Sequence, residues 1–263
     1  MTPILFIGAG RMGAAIAGGL VRVGAAQAAD MILLDPNPGP DALGLQGQGA
    51  LLNPDLTRLG LARTVVLAVK PQMWRAAADR LAPHLAADAL VISIAAGVGA
   101  DALAQAFAPR PVARVMPTTA VAVARGVASV WAASPEARAA ARALFQPLAR
   151  VVDLPTEDLM DAATAVSGSG PAYVYALVEA MSAAGVAAGL SPAAAAELSR
   201  ATVIGAAALM EQSSLSPEDL RIQVTSPGGT TAAALSVLQG PEGLTPLMTE
   251  AVAAAVARAR ELG

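Results

Sequence analysis

Short runs rich in Val, Ile and Leu recur through the first half of this chain, at Ile4–Ile7, Met31–Leu34, Val65–Val69, Leu90–Ile94, Val112–Met116, Val127–Trp131 and Arg150–Leu154. Each has the length of a buried strand. Helical periodicity fills several of the gaps, over Met12–Val23, Trp74–Leu85 and Pro135–Leu148. Parallel strands need crossovers, and helices on both faces are what bury such a sheet. The pattern therefore predicts an α/β, doubly wound, mostly parallel sheet. Prolines and glycines crowd Pro36–Gly60, where a second crossover helix belongs, so that helix should be short or irregular.

Past Leu154 the pattern changes. Thr156 reads as an N-cap with acidic residues in the first turn, and everything beyond it is helical in composition. Helices are expected over Asp158–Gly185, Pro192–Gln212, Pro217–Val224, Thr230–Gln239 and Leu247–Glu261, with Ser191-Pro192 and Ser216-Pro217 as N-cap and first-turn pairs. The expected division is residues 1–154, an α/β domain, and residues 155–263, an all-α domain. The small residues of Ala183–Gly189 suit either a subunit interface or ordinary packing within the chain.

Composition narrows the chemistry. The chain has 263 residues, no cysteine, one histidine and a net charge of −3. No thiolate nucleophile is available and no metal site is expected. His84, in a polar-edged segment, reads as a solvated helix-end residue. Without a basic run, neither nucleic acid nor an anionic membrane has an electrostatic partner here. No apolar stretch offers about 20 bulky residues for a bilayer crossing, and Met1 leads straight into a strand with no basic leader. A cytoplasmic protein acting on a small molecule is expected.

Gly8-Ala9-Gly10-Arg11-Met12-Gly13 lies between the first strand and the first helix. In that context a G-x-G-x-x-G spacing reads as a dinucleotide site in a Rossmann-like domain. Gly8 allows the tight turn, Gly10 lets a pyrophosphate approach, and Gly13 permits close strand–helix packing. The helix N-terminus offers free N–H groups to the phosphates. Asp35 ends the second strand, where a carboxylate can accept from the adenosine ribose hydroxyls and would repel a 2′-phosphate; the lesser alternative is that it merely opens the turn Asp35-Pro36-Asn37-Pro38. Asp35 and Pro36 lean towards NADH over NADPH, and Arg11 is placed to offset that lean.

Ala68-Val69-Lys70-Pro71-Gln72, Arg114-Val115-Met116-Pro117, Ser167-Gly168-Ser169-Gly170-Pro171-Ala172-Tyr173 and Ser226-Pro227-Gly228-Gly229-Thr230-Thr231 follow in that order. On these motifs the chain resembles the pyrroline-5-carboxylate reductase family nearly end to end. The resemblance implies reduction of 1-pyrroline-5-carboxylate to L-proline by NADPH or NADH, and a helical domain that forms homodimers, often within larger rings. It assigns the substrate carboxylate to Ser226 and the Gly228–Thr230 loop, with the N–H groups of Gly229 and Thr230 as donors. The ring nitrogen falls to Thr231, with Lys70 as a second catalytic candidate. Ala68, Val69, Lys70, Pro71, Met116, Pro117 and Thr118 would lie along the cofactor. A proline-glycine-glycine turn that opens a helix exposes N–H donors suited to an anion, but it also serves as a plain capped turn, and Lys70 as a solvated loop charge. Ser167–Tyr173 is expected as a proline-kinked helix that serves packing.

One departure stands out. The family usually continues Met-Pro with Asn-Thr-Pro, where this chain has Thr118-Thr119-Ala120. A threonine is shorter than asparagine, so a gap or wider pocket is expected there, which keeps open an imine reductase of altered substrate range. A non-catalytic dinucleotide-binding protein is the more distant alternative.

Overall fold

The structure, a computed structural model, describes residues 1–262. Eight strands form one sheet: β1 (Ile4–Ile7), β2 (Met31–Leu34), β3 (Leu51–Leu52), β4 (Thr64–Leu67), β5 (Leu90–Ser93), β6 (Val112–Pro117), β7 (Gly126–Ala132) and β8 (Ala149–Asp153). Their order is β3-β2-β1-β4-β5-β6-β7-β8. Every neighbouring pair is parallel except β6 with β7. Helices α1 (Arg11–Arg22), α2 (Pro40–Gly47), α3 (Trp74–Leu81), α4 (Ala100–Phe107) and α5 (Pro135–Phe145) make the connections.

Strand periodicity explains why both faces are covered. In β1, Ile4 and Phe6 join Ile16, Leu20, Leu144 and Phe145 on one side, while Leu5 and Ile7 join Leu81, Leu103 and Phe107 on the other. Burying side chains of this size stabilises by about 1.5–3 kcal/mol each, so the alternation locks the register: a one-residue slip would exchange the two faces. Helix α2 is short, as the glycines and prolines around it predict.

Several expectations are corrected. The two-residue β3 and helix α4 carry too little pattern to be seen in the sequence. The helix expected over Trp74–Leu85 ends at Leu81, followed by a 3-10 turn to His84, which is exposed. Thr156 makes no side-chain cap. Its neighbour Glu157 instead sends Oε1 to the N–H of Ala100, at the start of α4 (2.7 Å), and to Arg114 Nη1 (2.6 Å). The carboxylate expected to serve its own helix therefore caps another one.

The single helix expected over Asp158–Gly185 is interrupted. Helix α6 (Met160–Ala163) runs into a π-helical turn, Thr164–Gly168, and α7 begins afresh at Gly170 and runs to Ala187. Pro171 sits in the first turn of α7, where its missing N–H costs nothing, so it starts a helix rather than kinking one. The Ser167 hydroxyl donates back to Ala163 O at 2.8 Å across the widened turn.

Helices α8 (Pro192–Gln212), α9 (Pro217–Gln223), α10 (Thr230–Leu238) and α11 (Leu244–Leu262) complete the chain. Ser191 and Ser216 cap α8 and α9 by accepting from Ala194 and Asp219 N–H, as expected. The described residues divide into two compact units: residues 1–168 with the chain from 255 onward, and residues 169–254. In the second unit, a Cβ on Gly185 would lie 3.1 Å from Ala195 Cβ, so the small residues there serve the packing of α7 on α8. Alone, this unit leaves much of its apolar surface uncovered: Tyr175, Leu198, Ile204, Leu209, Val237 and Leu247 are all exposed. Helix α8 passes by length and mean hydropathy, 1.3, as a helix that could cross a bilayer, but it does so largely on alanine and is interrupted by Glu197 and Arg200, so it offers no run of about 20 bulky apolar residues.

Candidate active site

Parallel pairing brings the residues of the first unit together. Ile7 is in register with Leu34 on one side and Leu67 on the other. The segments that follow these three residues, Gly8–Gly13, Asp35–Gly39 and Ala68–Met73, therefore emerge side by side at one sheet edge, where open α/β sheets bind ligands. Strand β6 points the same way and ends in Met116 and Pro117.

The three glycines of the first turn do different work. Gly8 has φ +94°, and a Cβ there would lie 2.6 Å from Ala68 O; one on Gly13 would lie 2.0 Å from Gly8 O. Both are demanded by the chain's own packing. A Cβ on Gly10 would come no nearer to anything than Asp35 Oδ2 at 3.9 Å. The fold does not need Gly10, but a dinucleotide approaching the backbone would. Helix α1 has no side-chain cap on its Gly10 end, so the N–H groups of Arg11, Met12 and Gly13 are left for an anion. The side chains of Arg11 and Lys70 are exposed, and neither takes part in a side-chain hydrogen bond or ion pair among the described residues. These features fit the pyrophosphate of a dinucleotide.

Asp35 both braces the site and opens a turn. Its Oδ2 accepts from Ala9 N–H at 3.0 Å, and its Oδ1 from Asn37 N–H at 2.8 Å. Each oxygen keeps a lone pair for a ribose hydroxyl. Asn53, which the sequence reading did not single out, holds the main chain of Asp35: Oδ1 accepts its N–H at 2.9 Å and Nδ2 donates to its carbonyl at 2.8 Å. In the sequence Asn53-Pro54 looks like any turn. Thr118 is 5% exposed and its hydroxyl accepts from Val127 N–H at 3.0 Å. The side chain closes the β6–β7 turn.

In the second unit, Ser226 and Gly228 are exposed, Gly228 has φ +68°, and Gly229 is the uncapped N-cap of α10. The Gly229 N–H, expected to face a carboxylate, donates to Ser226 O at 3.1 Å. Donors at this turn include the first N–H groups of α10, at Thr230, Thr231 and the residue after them. Thr231 is partly buried in the first turn of the helix.

Residues 157–262 match the family model described as pyrroline-5-carboxylate reductase dimerisation, and residues 3–97 one described as NADP oxidoreductase coenzyme F420-dependent. A pyrroline-5-carboxylate reductase of Pseudomonas aeruginosa is 39% identical, over 98% of this chain and 96% of its own. The solved structure of such a reductase from Coxiella burnetii superposes with a TM-score of 0.89 at 32% identity, covering 100% of this chain and 98% of the other. The corresponding Plasmodium falciparum structure, with NADP bound, gives 0.84 at 25% identity, covering 100% and 98%. With the dimerisation model matched over residues 157–262 and a relative 39% identical over nearly the whole length, this chain belongs to the pyrroline-5-carboxylate reductase family.

Proposed function

We propose that the chain reduces 1-pyrroline-5-carboxylate to L-proline, the closing step of proline synthesis, using a nicotinamide dinucleotide. The observation that carries the proposal is the Ser226–Thr231 turn, whose uncapped helix end offers an anion site without an arginine. A bound reduced nicotinamide supplies the hydride. The chain's own part is positioning. Ser226, Gly228 and the N–H groups of Thr230 and Thr231 take the carboxylate, with Gly229 setting the turn. The Thr231 hydroxyl holds the proton at the ring nitrogen as the C=N π bond breaks and the new C–H bond forms. The protonated imine is already electrophilic, so no strong acid is needed, in keeping with a single, exposed histidine. Orientation of this kind can supply several kcal/mol of the barrier.

On the cofactor side, Ala9–Gly13 and Lys70 hold the phosphates, and Ala68, Val69, Pro71, Met116, Pro117 and Thr118 line the approach to the nicotinamide. Asp35 and Pro36 favour NADH, because a carboxylate at this place accepts from a free ribose diol and repels a 2′-phosphate. The division of labour falls near Leu154, with cofactor binding before it and dimerisation and substrate binding after it. The exposed apolar helices of the second unit support a homodimer, and such dimers join in a larger ring; native mass spectrometry reads the order directly. A cytoplasmic location belongs to the same proposal and agrees with a cysteine-free chain.

The test is the initial rate of NADH and NADPH oxidation with 1-pyrroline-5-carboxylate and, in parallel, a neutral cyclic imine. Proline formed from the carboxylated substrate alone supports the proposal, with NADH the faster donor. Equal rates on the neutral imine would assign the chain to imines at large. Thr231→Ala should lower kcat and leave the KM for cofactor unchanged; intact kcat removes Thr231 from the mechanism.

A further inference from the structure

Strand β2 ends at Leu34, and its outer neighbour β3 is only two residues long. The ladder between them stops at the N–H of Asn53, which donates to Leu33 O at 2.8 Å. Beyond that rung the main chain of Asp35 has no strand to pair with. The Asn53 side chain takes the strand's place: its carboxamide is a peptide group in miniature, and it satisfies both the N–H and the C=O of Asp35. To reach back in this way Asn53 adopts φ +47°, a left-handed conformation that asparagine tolerates better than most residues. Oδ2 of the residue so fixed reaches across to Ala9 N–H, inside the glycine turn. Asn53, Asp35 and Ala9 thus form one relay from the sheet edge to the pyrophosphate turn.

We infer that Asn53 is a positioning residue for cofactor choice: by holding the Asp35 main chain it aims the carboxylate at the adenosine ribose, and so sets the discrimination between NADH and NADPH. The inference rests on the NADH reading of Asp35. Asn53 touches neither cofactor nor substrate in this role. Its hydrogen bonds lie at an exposed edge, so their loss loosens the carboxylate without unfolding the strand.

The discriminating variant is Asn53→Gly, which keeps the left-handed backbone available and removes both side-chain bonds. The KM for NADH should rise about five- to tenfold, while the KM for NADPH changes less than twofold and kcat at saturating NADH stays within twofold. The melting temperature should stay within about 3 °C of the parent, since the strained φ is relieved as the bonds are lost. Asn53→Asp, which still accepts from the Asp35 N–H but cannot donate to its carbonyl, should fall between. KM values that rise together for both cofactors, or that do not move, overturn the inference. Asp35→Ser separates it from the reading beneath it. A changed NADH to NADPH ratio in Asp35→Ser with an unchanged ratio in Asn53→Gly overturns the role of Asn53 alone. An unchanged ratio in Asp35→Ser overturns the NADH reading, and this inference with it.

Discussion

Substituting alanine at Gly10 and at Gly13, three positions apart in one turn, should damage different properties. At Gly13 the new methyl carbon would sit 2.0 Å from Gly8 O, more than an ångström inside any tolerable contact. Neither partner is a flexible side chain, so α1 or the turn must move. Overpacking of this kind costs about 1–3 kcal/mol and sometimes more, and a clash with backbone belongs at the upper end. About 3 kcal/mol corresponds to a fall in melting temperature of roughly 6–12 °C for a unit of this size. At Gly10 the backbone has φ −72° and ψ −162°, open to any L-residue, and the methyl would be 3.9 Å from its nearest neighbour. The only structural loss is that alanine is a poorer N-cap, a cost of up to about 1 kcal/mol. The added methyl does stand where the pyrophosphate must approach the α1 N-terminus. Gly10→Ala should therefore weaken dinucleotide binding at least tenfold, about 1.4 kcal/mol, and melt within about 4 °C of the parent. Circular-dichroism melting without ligand, combined with titration of NADH fluorescence, reads both quantities for both variants. A Gly10→Ala protein that binds NADH as the parent does would refute the assignment of this turn to the cofactor. One that melts as low as Gly13→Ala would refute the claim that the fold has no need of Gly10.

Glu157→Ala should destabilise by about 3 kcal/mol, the lower end for breaking a buried ion pair, because it strands Arg114, whose side chain is 9% exposed, and uncaps α4. Urea unfolding at fixed protein concentration measures it, Glu157→Gln should fall between, and a loss under 1 kcal/mol would mean that Arg114 is hydrated. Arg110 spreads its guanidinium over the carbonyls of Leu85, Ala86, Phe107 and Ala108, and burial pulls its pKa below the ordinary arginine value. Arg110→Lys offers one compact ammonium to the same acceptors and should cost about 1–3 kcal/mol in the same assay; no loss would mean that these carbonyls do not depend on it. Ala124 is held at φ +56°, so Ala124→Gly should gain about 0.5–1 kcal/mol, strain relief outweighing the added chain entropy, and a lower melting temperature would contradict that.

What was legible in the sequence follows from how many residues carry each signal. The strands around Phe6, Leu33 and Val66 are legible because three or four adjacent buried side chains leave a run that little else explains, and the glycine turn because its spacing follows one such strand. Helix α4 is hard to see because it has only eight residues, half of them alanine, so its buried face rests on little more than Leu103 and Phe107. The broken helix at Thr164–Gly168 was read as continuous because a π-turn changes hydrogen bonding without changing composition.

Site residues divide along the same line. Asp35 stands out in the sequence because the role proposed for it depends on its own side chain at a fixed offset from the glycine turn. Asn53 and Glu157 were not, because each acts on something distant in the chain: Asn53 on the main chain 18 residues before it, Glu157 on an α4 N–H 57 residues before it. Residues that hold a neighbour's backbone need only be able to reach it, and no local pattern marks them. Their existence follows by subtraction once the structure has drawn β3 and α4. A two-residue strand leaves the rung beside Asp35 unfilled, and a helix that begins at Gly99-Ala100 has no capping side chain of its own. Buried or edge polar groups of the main chain are rarely left unpaired. Counting them after the strands and helices are drawn would have asked for a donor and acceptor at the first place and a carboxylate at the second, and it is these borrowed side chains that hold the cofactor edge of the sheet in shape.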